Sequence, residues 1–145
     1  MNAAGAPLYT PELLELALRL AQFPLAGDWP LQGHARSVSC GSEVSIGLRL
    51  NQTGTIAAIG LKAQACAIGQ AACAIFANAA PGLDLQAITA ARADCEAWLA
   101  GNAPLPDWPG MAPLAPAQAY PGRHGAILLP WRAALDALCN RSDTV

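Results

Sequence analysis

Five cysteines, two histidines and ten carboxylate side chains are the groups in this 145-residue chain that could bind a metal or handle sulfur. Cys40 lies in a turn-forming stretch, Val38-Ser39-Cys40-Gly41-Ser42-Glu43, and Cys66 opens an almost wholly apolar run. Gly41 lets the backbone turn without a Cβ clash. A cysteine at a helix N-terminus meets unpaired N–H groups and the positive end of the macrodipole. Both favour the thiolate, the form that ligates metal or attacks another sulfur. Cys73 stands two helical turns beyond Cys66, roughly 10 Å along the axis and too far to share one ion. With Cys95 and Cys139 it reads as a small core residue. His34 reads as a strand residue that hydrogen-bonds locally or approaches the cysteines, and Glu43 as a charge at a strand end. The spacing of Ser39, Ser42, His34 and His124 supports no serine nucleophile. No nucleotide-binding glycine loop, zinc-protease helix or nucleophile elbow is present.

Two thiols 26 positions apart can meet only if the elements between them fold back. Val44 to Leu50 alternates cleanly, with Val44, Ile46, Leu48 and Leu50 on one face and Ser45, Gly47 and Arg49 on the other, and reads as a strand. Asn51 to Gly54 is a hairpin turn, and Thr55 to Lys62 returns as a second strand. A hairpin brings the chain back to its starting edge, so Cys40 and Cys66 fall at one end of a small sheet. His34 to Ser39 adds a short edge strand, and Asp28 to Gly33 reads as a loop.

Helices fill the rest. Thr10-Pro11-Glu12 starts the first, with Leu13, Leu16, Ala17 and Leu20 on its inner face and Leu14, Leu18 and Ala21 widening it; Pro24 and Gly27 end it. Cys66 to Ala79 carries no charge and should be the central helix. Leu83 to Ala100 follows, with Ile88, Ala91, Cys95, Trp98 and Leu99 inward and Gly101 just after it. Asn102 to Arg123 holds too many prolines and glycines for regular structure, yet Trp108, Met111, Leu114 and Tyr120 should order it. Gly125 to Leu138, entered or interrupted by Pro130, reads as a closing helix, and a polar tail runs from Asn140 to Val145. The expected class is α+β, a three-stranded antiparallel sheet packed against helices in a single domain over residues 1–145.

Composition excludes several functions. An apolar share of 54% is enough for a core without disulfides, and a net charge of −2 leaves no basic footprint for a nucleic-acid backbone. The stretch from Met1 to Pro7 lacks a basic and apolar leader pattern, so the default address is cytoplasmic. In that compartment, five irregularly spaced cysteines point to metal or thiol chemistry. Ala63 to Leu83 is long enough to span a bilayer, but its Gln64, Gln70, Asn78 and Pro81 and its lack of basic flanks favour a buried helix, with no membrane partner.

Taken together, these segments resemble the U-type iron–sulfur cluster scaffold family, which comprises IscU, SufU and the N-terminal domain of NifU. The likeness covers most of the chain. It starts with Leu8-Tyr9 before the first helix and the loop near Pro24 and Gly27, continues with Cys40-Gly41 where the family has Cys-Gly-Asp and with the hairpin, and then meets Cys66-Ala67-Ile68. It ends on Arg123-His124-Gly125-Ala126-Ile127-Leu128-Leu129-Pro130-Trp131, which is similar to a SufU segment. The long interval before that segment also looks more like SufU than IscU. The resemblance implies a scaffold or sulfur carrier more than an enzyme. It implies zinc or an iron–sulfur cluster held at one surface site, with a cysteine desulfurase and iron–sulfur recipient proteins as partners. Cys40 and Cys66 occupy two of the family's four ligand positions, Cys40 as sulfur acceptor and Cys66 as metal ligand; Ser42 stands for the family's aspartate and Ala126 for its third cysteine. His124, two positions before Ala126, and Glu43, next to Ser42, are the substitutes the sequence offers. A Cys2His site completed by water would be open to exchange. With two ligands replaced, the other reading is a pseudo-scaffold that keeps the fold and its partner surface as a binding or regulatory module.

Overall fold

The computed structural model describes residues 7–140; the stretch from Met1 to Pro7 and the polar tail considered above lie largely outside them. Its elements are α1 (Pro11–Arg19), β1 (Leu31–Arg36), β2 (Glu43–Leu50), β3 (Ile56–Gln64), α2 (Ala67–Ala79), α3 (Leu85–Leu99) and α4 (His124–Asn140). The strands form one antiparallel sheet in the order β1-β2-β3. The fold class is α+β, as the sequence indicates.

Val44, Ile46 and Leu48 of β2 face the core, and the Asn51 side chain closes the hairpin by accepting the N–H groups of Thr53 and Thr55, with Gly54 at φ 85°. β1 begins at Leu31, earlier than expected, because Gly33 is not a loop residue. A Cβ there would stand 2.2 Å from the Ala133 carbonyl oxygen, so glycine is what lets α4 lie on the strand. Three α4 side chains then hold the free edge of β1. Arg132 donates to the Arg36 carbonyl (3.1 Å), the His34 N–H donates to the Asp136 carboxylate (2.9 Å), and Asn140 donates to the Gln32 carbonyl (2.9 Å). Four helical residues and two strand residues both rise about 6 Å, so the two ladders stay in step. The open strand edge is thereby covered.

α2 is buried almost throughout, as its composition requires. α1 packs against it through Leu13 and Ala17, capped by the Thr10 hydroxyl on the Leu13 N–H. Leu14 and Leu18, expected to widen the inner face, are instead 44% and 77% exposed, because one neighbouring helix covers only a narrow stripe. In α3, Asp84 caps the Ala87 N–H and Ile88, Cys95, Trp98 and Leu99 point inward. Cys139 is exposed, a correction to its reading as core: it lies one position beyond the last inward residue of α4, Leu138.

The proline-rich segment is more regular than expected. It forms 3-10 turns over Ala112–Ala119 and Pro121–Arg123, whose i to i+3 bonds, such as Leu114 N–H to the Met111 carbonyl, tolerate proline where an α-helix would not. Trp108 anchors it, donating its indole N–H to the Ile75 carbonyl (3.0 Å) and stacking on Phe76 at 5.5 Å, with Trp131 edge-on to both. α4 runs unbroken through Pro130. No helix among the described residues is long and apolar enough to cross a membrane.

Candidate functional site

Three elements deliver their ends to one place. The last paired row of the sheet is Arg36, Glu43 and Gln64, so the turn 37–42 and the start of α2 both leave the sheet at that end. α4 runs antiparallel to β1, as the Arg132, Asp136 and Asn140 bonds show, and so brings its first turn to the same end.

The turn is closed by two backbone hydrogen bonds, Ser37 N–H to the Ser42 carbonyl and Gly41 N–H to the Ser37 carbonyl, both 2.8 Å, with Gly41 at φ 72°. Gly125 seats α4 upon it: a Cβ there would be 2.3 Å from Ser37 Oγ. On α2, a Cβ at Gly69 would lie 3.4 Å from the Ala126 methyl, so the start of α4 also touches the first turn of α2. Cys66 is the N-cap of α2; its side chain makes no capping bond and is half-buried against the core.

Cys40 is exposed, beside Val38, which is 94% exposed at the tip of the turn. Its Sγ lies 3.3 Å from Ser37 Oγ and 3.2 Å from Ser42 Oγ, and Ser37 Oγ is in turn 3.3 Å from Ser39 Oγ. A thiol can donate to only one of these oxygens. A thiolate accepts from both hydroxyls at once, so the arrangement is better matched to the anion. Burial of the sulfur acts to raise its pKa. The Ser37 and Ser42 hydroxyls, the Ser42 backbone and the positive charge of Arg123 act against that and leave the thiol below the ordinary 9.0. Cys73 and Cys95 have no such help, and burial pushes both up to about 12.

The other candidates are engaged elsewhere. Glu43 accepts from His34 Nε2 at 2.9 Å across the open face of the sheet. His124 donates its Nε2–H to the Gln118 carbonyl (2.8 Å). Among the described residues, no three His, Cys, Asp or Glu side chains gather closely enough to hold a metal ion. The sequence reading gives Ser42 as a replaced ligand and a rejected nucleophile, and assigns none of Ser37, Arg123 and Gly125 to the site. The signal was there in the small hydroxyl residues at 37, 39 and 42 around one cysteine.

No family profile matches the sequence, and no curated protein matches it. Solved structures do. The N-terminal part of a nitrogen-fixing NifU-like protein from Brucella abortus aligns with a TM-score of 0.85 and 25% identity, over 95% of this chain and 96% of that one. The fold is that of the U-type iron–sulfur scaffold family. A protein from thermophilic Fervidobacterium islandicum AW-1, described as a scaffold for iron–sulfur cluster assembly in the SUF system, shares the U-type fold at a TM-score of 0.79 and 21% identity, over 90% and 96% of the two chains. A hypothetical protein shares it at 0.64 and 16%. The NifU-like structure matches better than the SUF one in both measures, so a particular closeness to SufU does not follow from these figures.

Proposed function

We propose that this chain is a scaffold-like protein of iron–sulfur cluster assembly whose reactive group is the Cys40 thiolate, taking sulfur from a cysteine desulfurase and passing it to recipient proteins. The observation that carries the reading is the Cys40 sulfur set on an exposed turn between two buried hydroxyls, at the place where the U-type pattern has its first cysteine. Cys66, at the start of α2, is the second thiol of the site. As cargo, zinc, iron or a nascent cluster would be held loosely through Cys40 and Cys66, with His124, two positions before Ala126, the candidate for a third donor. A closed four-donor shell would then take donors from a second protein.

The attacking form is already favoured: two hydroxyls and a cationic side chain stabilise negative charge on Cys40, and the exposed turn gives a partner's persulfide access. The test supplies the chain with a cysteine desulfurase and labelled cysteine. Label should pass to the parent and not to Cys40→Ser. Equal labelling of the two would contradict the assignment.

The pseudo-scaffold reading has its own observation, the replacement of two donor positions by Ser42 and Ala126. It predicts that the desulfurase binds parent and Cys40→Ser equally while no sulfur moves to either.

A further inference from the structure

If Cys40 accepts sulfur, as proposed above, the side chains around it say whether a metal is needed. The U-type pattern has an aspartate at the position of Ser42 and a cysteine at that of Ala126, both electron-pair donors to a cation. Here Ser42 is 6% exposed with its hydroxyl on the Cys40 sulfur, and Ala126 is fully buried with its methyl against α2. The carboxylate next to Ser42, Glu43, is bonded to His34. What surrounds the sulfur is a set of donors, two hydroxyls and a nearby guanidinium, which compete with a cation for the same lone pairs and suit an anion instead.

We propose that Cys40 takes up and releases sulfur without metal, as a hydropersulfide, the charge of the attacking and departing Cys40 thiolate being held by Ser37 and Ser42 where the family pattern would place an ion. The Cys40 thiolate attacks the outer sulfur of a donor hydropersulfide, R–S–SH. The Cys40 S–S bond forms, the donor S–S bond breaks, R–S⁻ departs, and the proton stays on the transferred sulfur. In release, an acceptor thiolate attacks that sulfur and Cys40 departs as the thiolate. No net electrons are exchanged. The hydroxyls that favour the attacking anion also favour it as a leaving group, so one arrangement serves both directions.

The test treats chelator-stripped protein with cysteine hydropersulfide, with and without added zinc, and follows the mass gain of one sulfur atom. Uptake by the parent should agree within about twofold in the two conditions, because the hydroxyls set against the sulfur belong to the protein and are in place without an ion. Ser42→Ala should slow uptake and Ser42→Thr should restore it. The parent should yield its zinc to a chromophoric chelator, while Ser42→Asp/Ala126→Cys, shown folded by circular dichroism, should retain it.

Uptake that requires zinc, or tight zinc retention by the parent that is lost in Cys40→Ser, would overturn the metal-free step while leaving Cys40 as the acceptor. A folded double variant that still loses zinc would overturn the assignment of those two positions. No uptake under either condition would defeat the Cys40 reading itself, and this step with it.

Discussion

Ser37 and Ser42 bury their hydroxyls against one exposed sulfur, and that contrast between buried donors and an open thiol is the chemical content of the site. Removing one donor in Ser42→Ala should slow alkylation of Cys40 at neutral pH by roughly three- to tenfold, since a hydrogen bond to a charged group is worth about 1.5–3 kcal/mol when fully formed and solvent screening at an exposed sulfur leaves about half of that. Timed iodoacetamide labelling measures it, and the rate of the parent should reach half its plateau at a pH below the ordinary 9.0. Cys73 and Cys95 give the opposite behaviour. Both stay protonated in the fold up to about 12, whereas the unfolded chain releases these protons near 9.0. The contribution of these two thiols to stability is therefore constant below pH 9.0 and falls as pH rises from there toward 12; urea titrations across that window check the sign. The places of Cys40 on a turn and Cys66 at a helix start were legible from the glycine and the apolar run that follow them. Ser37 was not, because a serine alternating along an expected strand looks like any outward polar residue until its neighbour across space, Gly125, is known.

The placement of that turn depends on how closely elements approach. Gly125→Ala would push a methyl to within 2.3 Å of Ser37 Oγ, so the turn or the helix must move. The expected cost is about 1–3 kcal/mol in urea unfolding, with slower Cys40 alkylation as the second readout. A variant as stable and as reactive as the parent would show that α4 does not position the turn. The hairpin and α2 could be read from alternation, turn residues and an uncharged run. The start of β1 could not, because Gly33 is a strand residue whose reason is α4, 100 residues away in sequence. The exposed face of α1 was misread for a related cause: periodicity shows which residues share a stripe but not how wide the covering neighbour is.

Phe76, Trp108 and Trp131 join α2, the proline-rich segment and α4 in one aromatic cluster, with centroids 5.3–5.5 Å apart. Trp108→Ala removes a buried indole and its bond to the Ile75 carbonyl, and should cost about 3–5 kcal/mol with a matching fall in Tm. Because that cluster lies away from the Ser37–Ser42 turn, the folded fraction of Trp108→Ala should label at Cys40 at the parent's rate. The U-type architecture could be recognised from sequence through Cys40-Gly41, the hairpin, Cys66 and the Arg123–Trp131 segment, and the aligned structures bear the fold out. Local pattern carried that much; the electrostatic character of the site did not emerge from it, because donors from the turn and the charge of Arg123 meet at the sulfur only after folding.

The most direct measurement is the location of sulfur in the protein itself. After turnover with a cysteine desulfurase and cysteine, thiols are blocked and peptides mapped by mass. The account predicts one added sulfur on Cys40, with Cys73 and Cys95 unmodified. Sulfur on Cys139 or Cys66 with Cys40 unmodified, or on no cysteine at all, would contradict it.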